Sequence, residues 1–441
     1  MNAAAVVCGA GIAGVATAFQ LAVEHGLDNV KLIDPLPPLT LTSDKSTECY
    51  RNWWPNSPMV GLMNRSIDLL EDYARRSGNA FRLTRQGYLY VTAEPGRLAR
   101  MAEEGRMITG LGAGELREHR YNSAYEPAGE QQGADLFLDG EELRRFYPFL
   151  TKDACGGLHA RRAGWFSAQQ LGAWMLSEAR AAGLELIKGE VDSIDTSGGR
   201  VRAVTVGDER IETPIFVNAA GPMVKEVGAM VGVDLPVYSE VHVKVAFRDH
   251  LGIVPRSSPM MIWSDPQTLD WSAEERLGLQ ELGRDDLLDE MPASCHYRPE
   301  GSDDSNWIVG LWEYHRLIRE PTWPLPEDPL YPEVVMRGLT TAVPGLRSYL
   351  DHLPQPIVDG GYYTKTRENR PLVSRLGPAG SFLVGAFSGF GVMAAASAAE
   401  LVAAHITGGN LPDYAPSFAL ERYDDPAYAA SVEANSNTGQ I

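Results

Sequence analysis

The sequence predicts an α/β fold, α+β overall, in which a core of parallel strands and helices carries an inserted, largely antiparallel sheet. Three observations predict it: a glycine-rich turn between the first strand and the first helix, a run of alternating strands with antiparallel character in the middle, and a second glycine-rich turn near the carboxyl end. A chain of 441 residues is too long for one ordinary hydrophobic core, so at least two domains are expected.

The first turn joins a predicted strand, Ala3–Val7, to a predicted helix, Ile12–His25, and has the form G-x-G-x-x-G. In this pattern the first glycine, Gly9, permits the tight turn, and Gly11 lets the backbone approach a pyrophosphate. The last, Gly14, lets the helix pack closely on the strand. Because the positive end of the helix dipole then faces the turn, the turn is suited to phosphate groups.

The second strand supports this interpretation over a plain strand-to-helix connection. Asn29–Ile33 is a short apolar run that ends in Asp34, 20 residues beyond Gly14. An acidic residue at about this distance bonds a ribose hydroxyl in dinucleotide-binding units. The first 34 residues therefore predict a dinucleotide site.

Charge and cysteine usage narrow the class of protein. The formal net charge is −19 and the pI about 4.9, which argues against nucleic-acid or anionic-membrane partners, since both need basic surface. The four cysteines are far apart and form no C-x-x-C pair, so we expect a reducing, cytoplasmic location and no metal site.

No membrane span or leader is expected either. Only Met1 and Asn2 precede the first strand, which leaves no room for a targeting segment. The most apolar stretch, Phe382–Ile406, is broken by two serines and a glutamate and is rich in Ala and Gly. This composition favours a buried helix over a transmembrane one.

A polar, hydroxyl-rich segment, Thr40–Pro55, follows the second strand. It is too polar and irregular to predict a core strand, and a loop at this position is a candidate for function. Arg51 can hold an anion through two hydrogen bonds, and Trp53 or Trp54 can wall a flat ring. The alternative is that Arg51 pairs with a surface carboxylate and that both tryptophans are packing residues.

The middle of the chain alternates helices and strands before it reaches a turn of small residues. The predicted elements are helix Leu62–Ser77, strand Gly87–Thr92, helix Arg97–Leu111, helix Ala168–Ala182, strand Leu184–Ile187, a hairpin at Ser197–Gly199 leading into Val201–Val206, and strand Ile215–Asn218. The last strand runs into Ala219, Ala220, Gly221 and Pro222, where small residues allow close approach of a ligand.

The inserted sheet begins at Val241–Phe247, which alternates apolar and polar residues. His242 and Lys244 share one face of this strand, so both point inward or both point outward; outward orientation would make them ordinary surface residues. Further strands are predicted at Cys295–Arg298 and Trp307–Trp312. The acid-rich segment Pro266–Glu290 is interpreted as a solvated loop or short helix rather than a lid.

The second glycine-rich turn lies in Ser381–Met393, where a strand opens into a helix that continues to about Thr407. The backbone N–H groups and the positive end of the helix dipole again favour binding of an electron-rich group. Since the first turn already accounts for a pyrophosphate, the second suits the far end of a long cofactor, where negative charge develops on a reduced ring.

With these pieces in this order, the chain resembles the D-amino-acid oxidase and sarcosine oxidase family of FAD-dependent oxidoreductases. The resemblance rests on the first turn with Asp34, the loop Thr42–Arg51, the run from Gly164 through Val191 to Gly221, and the turn Phe387–Gly391. It implies a Rossmann-like FAD-binding domain of the glutathione-reductase type, formed by residues 1–85, 151–235 and 355–430. A substrate domain from residues 86–150 and 236–354 and a tail of residues 431–441 complete the expected organisation.

The resemblance also assigns positions to the cofactor. The ribose is expected at Asp34, the adenine beside Val191, the pyrophosphate near Gly11 and Ser43, and the flavin pyrimidine edge over the second turn. The implied FAD-binding residues are Gly9, Gly11, Ile12, Ala13, Gly14, Asp34, Thr42, Ser43, Arg51, Val191, Ala220, Gly221, Gly389, Phe390, Gly391, Val392 and Met393.

The chemistry implied by the resemblance is hydride loss from the carbon next to a neutral amine nitrogen to flavin N5, followed by hydrolysis of the imine. The expected substrate is a small amine or amino acid, or a larger biosynthetic intermediate, with oxygen or another electron acceptor. The catalytic candidates are Arg51, Trp53, His242, Tyr297 and Arg370. Further side chains expected to face the substrate are Lys244, Arg298 and Trp312.

Two departures from the family pattern affect these expectations. Sarcosine oxidases have Gly-His-Gly-Phe-Lys where this chain has Gly389–Met393, so Met393 replaces a lysine that holds a substrate carboxylate and a simple N-methyl amino acid is disfavoured. Gly361 stands where those enzymes attach flavin through a cysteine, so we expect non-covalent FAD.

Two other functions stay open from the sequence. One is a flavoprotein that relays electrons or serves in the assembly of a complex, which the acidic surface would permit. The other is an NAD(P)-dependent dehydrogenase, which is disfavoured because the second glycine-rich turn would then have no purpose.

Overall fold

The computed structural model describes residues 1–122, 124–129, 131–301 and 305–434. The strands are β1 (Ala5–Cys8), β2 (Val30–Asp34), β3 (Cys49–Arg51), β4 (Tyr88–Thr92), β5 (Leu116–His119), β6 (Ala134–Phe137), β7 (Gly156–Ala160), β8 (Ala163–Trp165), β9 (Glu185–Lys188), β10 (Ser193–Asp195), β11 (Ala203–Val206), β12 (Glu209–Glu212), β13 (Phe216–Asn218), β14 (Tyr238–Arg248), β15 (Met260–Trp263), β16 (Cys295–Glu300), β17 (Trp307–Leu311), β18 (Leu317–Ile318), β19 (Ile357–Lys365), β20 (Leu372–Arg375) and β21 (Ser381–Gly385).

The α-helices are α1 (Ile12–Phe19), α2 (Thr42–Lys45), α3 (Ser57–Ser77), α4 (Pro95–Ile108), α5 (Gly140–Phe146), α6 (Ala168–Ala181), α7 (Val224–Ala229), α8 (Ala273–Glu281), α9 (Tyr331–Ala342), α10 (Gly391–Thr407) and α11 (Pro426–Ala434). A turn of π-helix, Gln20–Glu24, extends α1 to nearly the predicted end of the first helix. Residues 435–441 of the predicted tail lie outside the described residues.

The first glycine-rich turn belongs to a six-stranded sheet with the order β20-β21-β13-β1-β2-β9. Its strands are parallel except for the antiparallel pair β20–β21. Val7 pairs with both Leu32 and Val217, so the amino-terminal and middle sections meet at the centre of the sheet. The sheet is largely buried apart from its edge strand β9, and α1 packs against α6 and α10. These pairings confirm the predicted parallel core.

A second sheet of ten strands has the order β18-β14-β17-β16-β15-β4-β7-β6-β5, with β19 also paired to β14. Its ladders are antiparallel except for β15–β4 and β5–β6, so the expected mixed, largely antiparallel sheet is confirmed. Sheet membership differs from the predicted domain boundaries at two places. β7 pairs with β4 and β6, and β19 pairs with β14, so both belong to this sheet.

The loop after β2 is more ordered than the sequence predicts. Cys49–Arg51 forms β3, which pairs antiparallel with Ala163–Trp165, and Cys49 and Tyr50 are buried. The expectation that this segment is too polar for a core strand is therefore wrong for these residues. The reason is that Tyr50 buries its ring while its hydroxyl donates to the Thr84 carbonyl at 2.6 Å.

The acid-rich segment forms the short helix α8, which confirms the second half of its prediction. Ser272 caps the helix in a capping box with Glu275. The Glu275 carboxylate accepts a hydrogen bond from Arg337 of α9. This bond joins the acid-rich segment to α9.

The stretch Ser388–Thr407 is long and apolar enough to cross a membrane, with a mean hydropathy of 1.4 over its best window, but 67% of that window is buried inside the protein. Most of it is α10, which packs against α1 and α3. It is a core helix, as its Ala- and Gly-rich composition predicts.

Candidate cofactor and substrate site

The first turn has room for glycine only at its two ends. Gly9 has φ +103°, and a Cβ atom placed there would lie 2.4 Å from the Ala219 carbonyl oxygen. A Cβ atom on Gly14 would lie 1.8 Å from the Gly9 carbonyl oxygen. Both positions therefore require glycine, one for its conformation and one for close packing.

Side chains from β2 and the following loop hold the turn in place. Asp34 accepts a hydrogen bond from the Ala10 N–H at 2.7 Å and one from the Leu36 N–H at 2.8 Å. Ser43 Oγ accepts from the Ile12 N–H at 2.9 Å and so caps the amino end of α1. Asp34 and Ser43, which are predicted to contact the ribose and the pyrophosphate, thus also hold the turn in its conformation.

Replacing Ser43 by alanine should weaken this cap. We expect a loss of about 1 kcal/mol in the free energy of unfolding, since an amino-terminal cap contributes about that amount, together with weaker FAD retention. Chemical unfolding and gel filtration with measurement of retained flavin would check both. Ser257→Ala, at an exposed loop position, is the control; equal effects of the two changes would contradict the prediction.

The turn opens onto a cleft that runs between the two glycine-rich turns. Most of the predicted FAD residues line it, namely Gly9, Gly11, Ile12, Ala13, Asp34, Thr42, Ser43, Ala220, Gly221, Gly389, Gly391 and Val392. Tyr362, Tyr363 and Thr364 line it as well. A single cleft that reaches the amino ends of both helices suits a dinucleotide, because each helix end can face an electron-rich part of it.

The second turn also fits FAD. Helix α10 begins at Gly391 without a side-chain cap, so its first N–H groups are open to acceptors on a ligand. Ala386 and Ser388, which line the cleft, have φ of 54° and 52°, values that non-glycine residues rarely adopt. Backbone held in such a conformation is typical of ligand sites. We conclude that the residues present suit the flavin end of FAD.

Five predicted cofactor residues do not line this cleft: Gly14, Arg51, Val191, Phe390 and Met393. Gly14 acts through packing, as shown above. Val191 lies in a hydrophobic core with Cys8 and Ile33. Phe390 and Met393 are buried, and Phe390 makes an edge contact with Trp54 at 5.1 Å between ring centres.

A second cavity, which we call the β14 cavity, adjoins the cleft. The two share Thr40, Leu41 and Thr42, and the β14 cavity has a volume of about 770 Å³. Aromatic residues dominate one part of its lining, Trp312, Tyr314, Trp323 and Tyr331. Charged residues dominate another, Lys45, His242, Glu313, His315, Glu327, Asp328 and Asp359.

A stacked pair of side chains stands between the cleft and the β14 cavity. The His242 ring, which lines the cavity, lies parallel to the Tyr363 ring, which lines the cleft, with 3.8 Å between centres and 15° between planes. Tyr363 also touches the second turn, because a Cβ atom on Gly389 would lie 2.5 Å from its ring. Replacement of either side chain would therefore alter the lining of both the cleft and the β14 cavity.

Two carboxylates hold the imidazole of His242. Its Nδ1 lies 2.8 Å from Glu313 Oε1, and its Nε2 lies 3.3 Å from Glu240 Oε1. Burial alone would lower the pKa of His242, but the charge of Glu313 and the contacts to both carboxylates outweigh it and raise the pKa. Burial raises the pKa of Glu240, but the bond to His242 and the charge of Lys365 prevail and lower it to about 2.

Glu240, His242 and Glu313 each offer a ligand atom, and these atoms lie within 4.8 Å of one another. Such a set can hold a metal ion. However, Lys365 and Arg316 also contact Glu240, at 3.3 and 3.2 Å, and their positive charges compete with a cation for it. The expectation of no metal stays a prediction.

His242 and Lys244 both point inward, so the interpretation of them as ordinary surface residues is wrong. Lys244 does not line the cavity; its Nζ donates to the Ser46 carbonyl at 2.7 Å. Arg298 behaves similarly, donating from Nε to the Thr47 carbonyl at 2.7 Å. The half-buried Lys244 and the buried Arg298 fasten the loop after β2 to the large sheet, and their closeness to the substrate stays a prediction.

Arg51 is held among aromatic rings. Its guanidinium lies 4.4 Å from the centre of the Trp54 ring and 5.5 Å from that of Tyr88, and its Nε donates to the Trp53 carbonyl. No carboxylate pairs with Arg51 in the described part of the chain, which leaves its terminal nitrogens for an anion. Trp53 and Trp54 are almost fully buried and serve as packing residues, the alternative named above.

The remaining substrate candidates differ in their surroundings. Trp312 lines the β14 cavity. Tyr297 points to the opposite face of β16 from Arg298 and packs in the core beside α9, away from both compartments. The Arg370 backbone bonds to Thr366, and its side chain is not in the lining of either one.

Sequence reasoning missed Glu240, Glu313 and Tyr363. Alternation along β14 places Glu240 on the same face as His242 and Lys244, and so could have identified it. Tyr363 lies beside β14 only because β19 pairs with it, an arrangement between distant segments that local pattern does not predict. Glu313 lies two residues after the end of β17, and nothing in its local sequence distinguishes it.

The comparisons with known proteins agree with this geometry. Residues 4–405 match the model of the family described as FAD dependent oxidoreductase, DAO. Among solved structures, L-proline dehydrogenase from P. horikoshii is 20% identical with a TM-score of 0.74, covering 98% of each chain. Glycine oxidase from Geobacillus kaustophilus is 17% identical with a TM-score of 0.73, covering 95% of this chain and 98% of that one.

Iminodiacetate oxidase from Chelativorans sp. BNC1 is 18% identical with a TM-score of 0.70, covering 94% of this chain and 98% of that one. Similarity at these identities shows a shared fold. The family match spans most of the chain and includes both glycine-rich turns. The protein therefore belongs to the family of FAD-dependent oxidoreductases.

Proposed function

We propose that this protein oxidises the C–N bond of an amine or amino acid and releases an imine. The observation that carries the proposal is the β14 cavity, a second compartment that adjoins the cofactor cleft and is separated from it by the His242–Tyr363 pair. The names of the structural neighbours, a proline dehydrogenase, a glycine oxidase and an iminodiacetate oxidase, support a nitrogen-containing substrate.

FAD, when bound, supplies the acceptor for a hydride from the carbon next to nitrogen. The chain's own residues position the substrate and exclude water. The stacked rings of Tyr363 and His242, together with the aromatic residues that line the β14 cavity, provide rigid surfaces against which a substrate can be positioned. Arg51 pairs with no described carboxylate, but its side chain lines neither compartment, so its role in holding a substrate carboxylate stays a prediction.

Met393 limits the substrates that we propose. A methionine cannot supply the second cation of a carboxylate site, and Met393 is also buried rather than exposed to the cleft. We therefore propose an amine or amino acid bulkier than a simple N-methyl amino acid, in keeping with the large cavity. Oxygen or another electron acceptor would reoxidise the cofactor. We also propose a cytoplasmic location, supported by four cysteines that are all free.

Spectroscopy of the purified protein tests the function. We expect flavin absorbance, and bleaching of that absorbance without oxygen when a panel of amines and amino acids is added. Return of the absorbance in air would identify an oxidase, whereas return only with an artificial acceptor would identify a dehydrogenase. A flavoprotein that no amine or amino acid bleaches would contradict the proposal and favour electron relay or assembly.

The mode of FAD attachment is tested by acid precipitation. Gly361 carries no side chain for attachment, so the yellow colour should pass into the supernatant when the protein is precipitated with trichloroacetic acid. A yellow pellet that keeps its colour after washing would show covalent flavin. Free FAD mixed with a flavin-free protein and precipitated in the same way is the control.

A further inference from the structure

Glu313 is held in place on the β14 cavity wall and still has one carboxylate oxygen free. Its Oε1 accepts from His242 at 2.8 Å, whereas Oε2 has no partner in the described ranges of the chain. Its side chain is 42% exposed, and it lines the cavity. By contrast, Asp328 uses both oxygens for Arg284, and Asp359 bonds Lys45 and the Gly360 N–H. Glu327, which also lines this cavity, is exposed and makes no ion pair among the described residues, so nothing fixes it in the same way.

The groups behind Glu313 hold it in one position. His242 is fixed between Glu313 and Glu240 and is stacked on Tyr363, and Glu240 is itself held by Lys365. Such support keeps Oε1 in place, so binding a ligand at Oε2 orders little that is not ordered already. Preorganisation of this kind favours recognition of a specific charge.

The state of this carboxylate decides what it can bind. Burial would raise the pKa of Glu313, but the charge of His242 outweighs it and lowers the pKa, so the group is an anion near neutral pH. An anion that binds an amine stabilises its protonated form. The nitrogen that undergoes oxidation must instead be neutral, because its lone pair assists departure of the hydride. Glu313 is therefore suited to a different group of the substrate, one that stays positively charged near neutral pH.

The surroundings of Glu313 also suit an organic cation. Trp312 and Tyr314, its neighbours in sequence, line the same cavity, and aromatic faces attract organic cations. The cavity volume of about 770 Å³ lies in the upper part of the 300–1,000 Å³ range usual for small-molecule pockets. A substrate with an extended substituent can therefore reach from the cofactor cleft into this cavity past Thr42, which lines both.

We propose that Glu313 anchors a second positively charged group of the substrate, so that the substrate is a diamine or another amine with an additional cationic group. This inference rests on the proposed oxidation of an amine. It assigns the β14 cavity to the part of the substrate that does not react.

The test compares two amines that have the same carbon skeleton, with the FAD-bound protein in the absence of oxygen. The probes are N-methyl-1,4-diaminobutane, which carries the second ammonium, and N-methylbutylamine, which does not. Calorimetry should show that the diamine binds about tenfold more tightly, as expected for a charge-assisted hydrogen bond. Glu313→Gln should abolish the preference. Glu327→Gln, which removes a charge from an exposed residue of the same cavity, should preserve it.

Equal affinity for the two amines in the wild-type protein, or no binding of either, would overturn the inference without use of any variant. An unchanged preference in Glu313→Gln would overturn it as well. Binding of Zn²⁺ that displaces the diamine and is lost in Glu313→Gln would overturn it in favour of a metal centre.

The same samples separate this inference from the proposed function. Diamine binding that depends on Glu313, with no bleaching of the flavin by any amine, would support the cation site and contradict amine oxidation. Bleaching by N-methylbutylamine and the diamine with equal affinity would support amine oxidation and contradict the cation site.

Discussion

Gly14→Ala should give a protein that is destabilised and does not retain FAD. A Cβ atom at this position would lie 1.8 Å from the Gly9 carbonyl oxygen, and a backbone atom cannot move aside as a flexible side chain can. To relieve this clash, the backbone of the turn at Gly9 would have to move away from the start of α1. Overpacking a rigid site typically costs about 1–3 kcal/mol and occasionally more, and we expect about 3 kcal/mol here because the clash is with backbone. Chemical unfolding and the flavin content of the purified protein would measure the two effects.

Gly278→Ala is the matched control for this change. Gly278 lies in α8, where a Cβ atom would meet no heavy atom within 4 Å. We expect this control to retain flavin and to gain up to about 1 kcal/mol from the better helix propensity of alanine. A Gly14→Ala protein with wild-type stability and full flavin content would show that the turn can open, contrary to the close packing described here.

The first turn was predictable because its requirements are local. The spacing of Gly9, Gly11 and Gly14 indicates the positions at which the backbone needs a special conformation or a close contact. The structure shows the close contacts that this spacing predicts. Asp34 was predictable for the same reason, since one strand and one helix separate it from the turn. The parallel sheet followed from apolar runs bounded by turn residues.

The substrate side was less predictable because it depends on pairing between distant strands. The pairing of β14 with β19 places His242 beside Tyr363, more than a hundred residues away in sequence. Tyr297 illustrates a different difficulty: the residue type suits a substrate site, but the pleat of β16 turns it to the other face, into the core. Local pattern does not say which of the two faces of an inserted strand meets the cofactor.

Arg51 shows how much depends on the surrounding loop. The sequence allowed either an anion site or a surface ion pair, and the loop instead places its guanidinium over the Trp54 ring. That arrangement depends on β3, which forms because Cys49–Arg51 finds a partner in Ala163–Trp165. A three-residue strand has too little pattern to be recognised before its partner is known.

His242→Gln should destabilise the protein most strongly in mildly acidic solution. The change removes a buried cation from between Glu240 and Glu313, and removing one partner of a buried pair commonly costs about 3–5 kcal/mol. We expect about 2 kcal/mol, because Glu240 keeps Lys365 and Arg316 and Glu313 is partly exposed. His352→Gln, at an exposed histidine, should have little effect.

The pH dependence of this loss follows from the direction of the pKa shifts. The folded-state pKa of His242 is raised above 6.5, so its stabilising contribution is complete below about pH 6.5 and is lost as the pH rises through the raised value. The pKa of Glu240 is lowered from 4.5 to about 2, so its contribution is present above pH 4.5 and is lost as the pH falls toward 2. Both contributions are therefore complete between about pH 4.5 and 6.5.

The difference in unfolding free energy between wild type and His242→Gln should be larger at pH 5.5 than at pH 9, as measured by chemical unfolding. A difference that is equal at the two pH values would mean that His242 stabilises the fold through its shape and its stacking on Tyr363, and not through its charge.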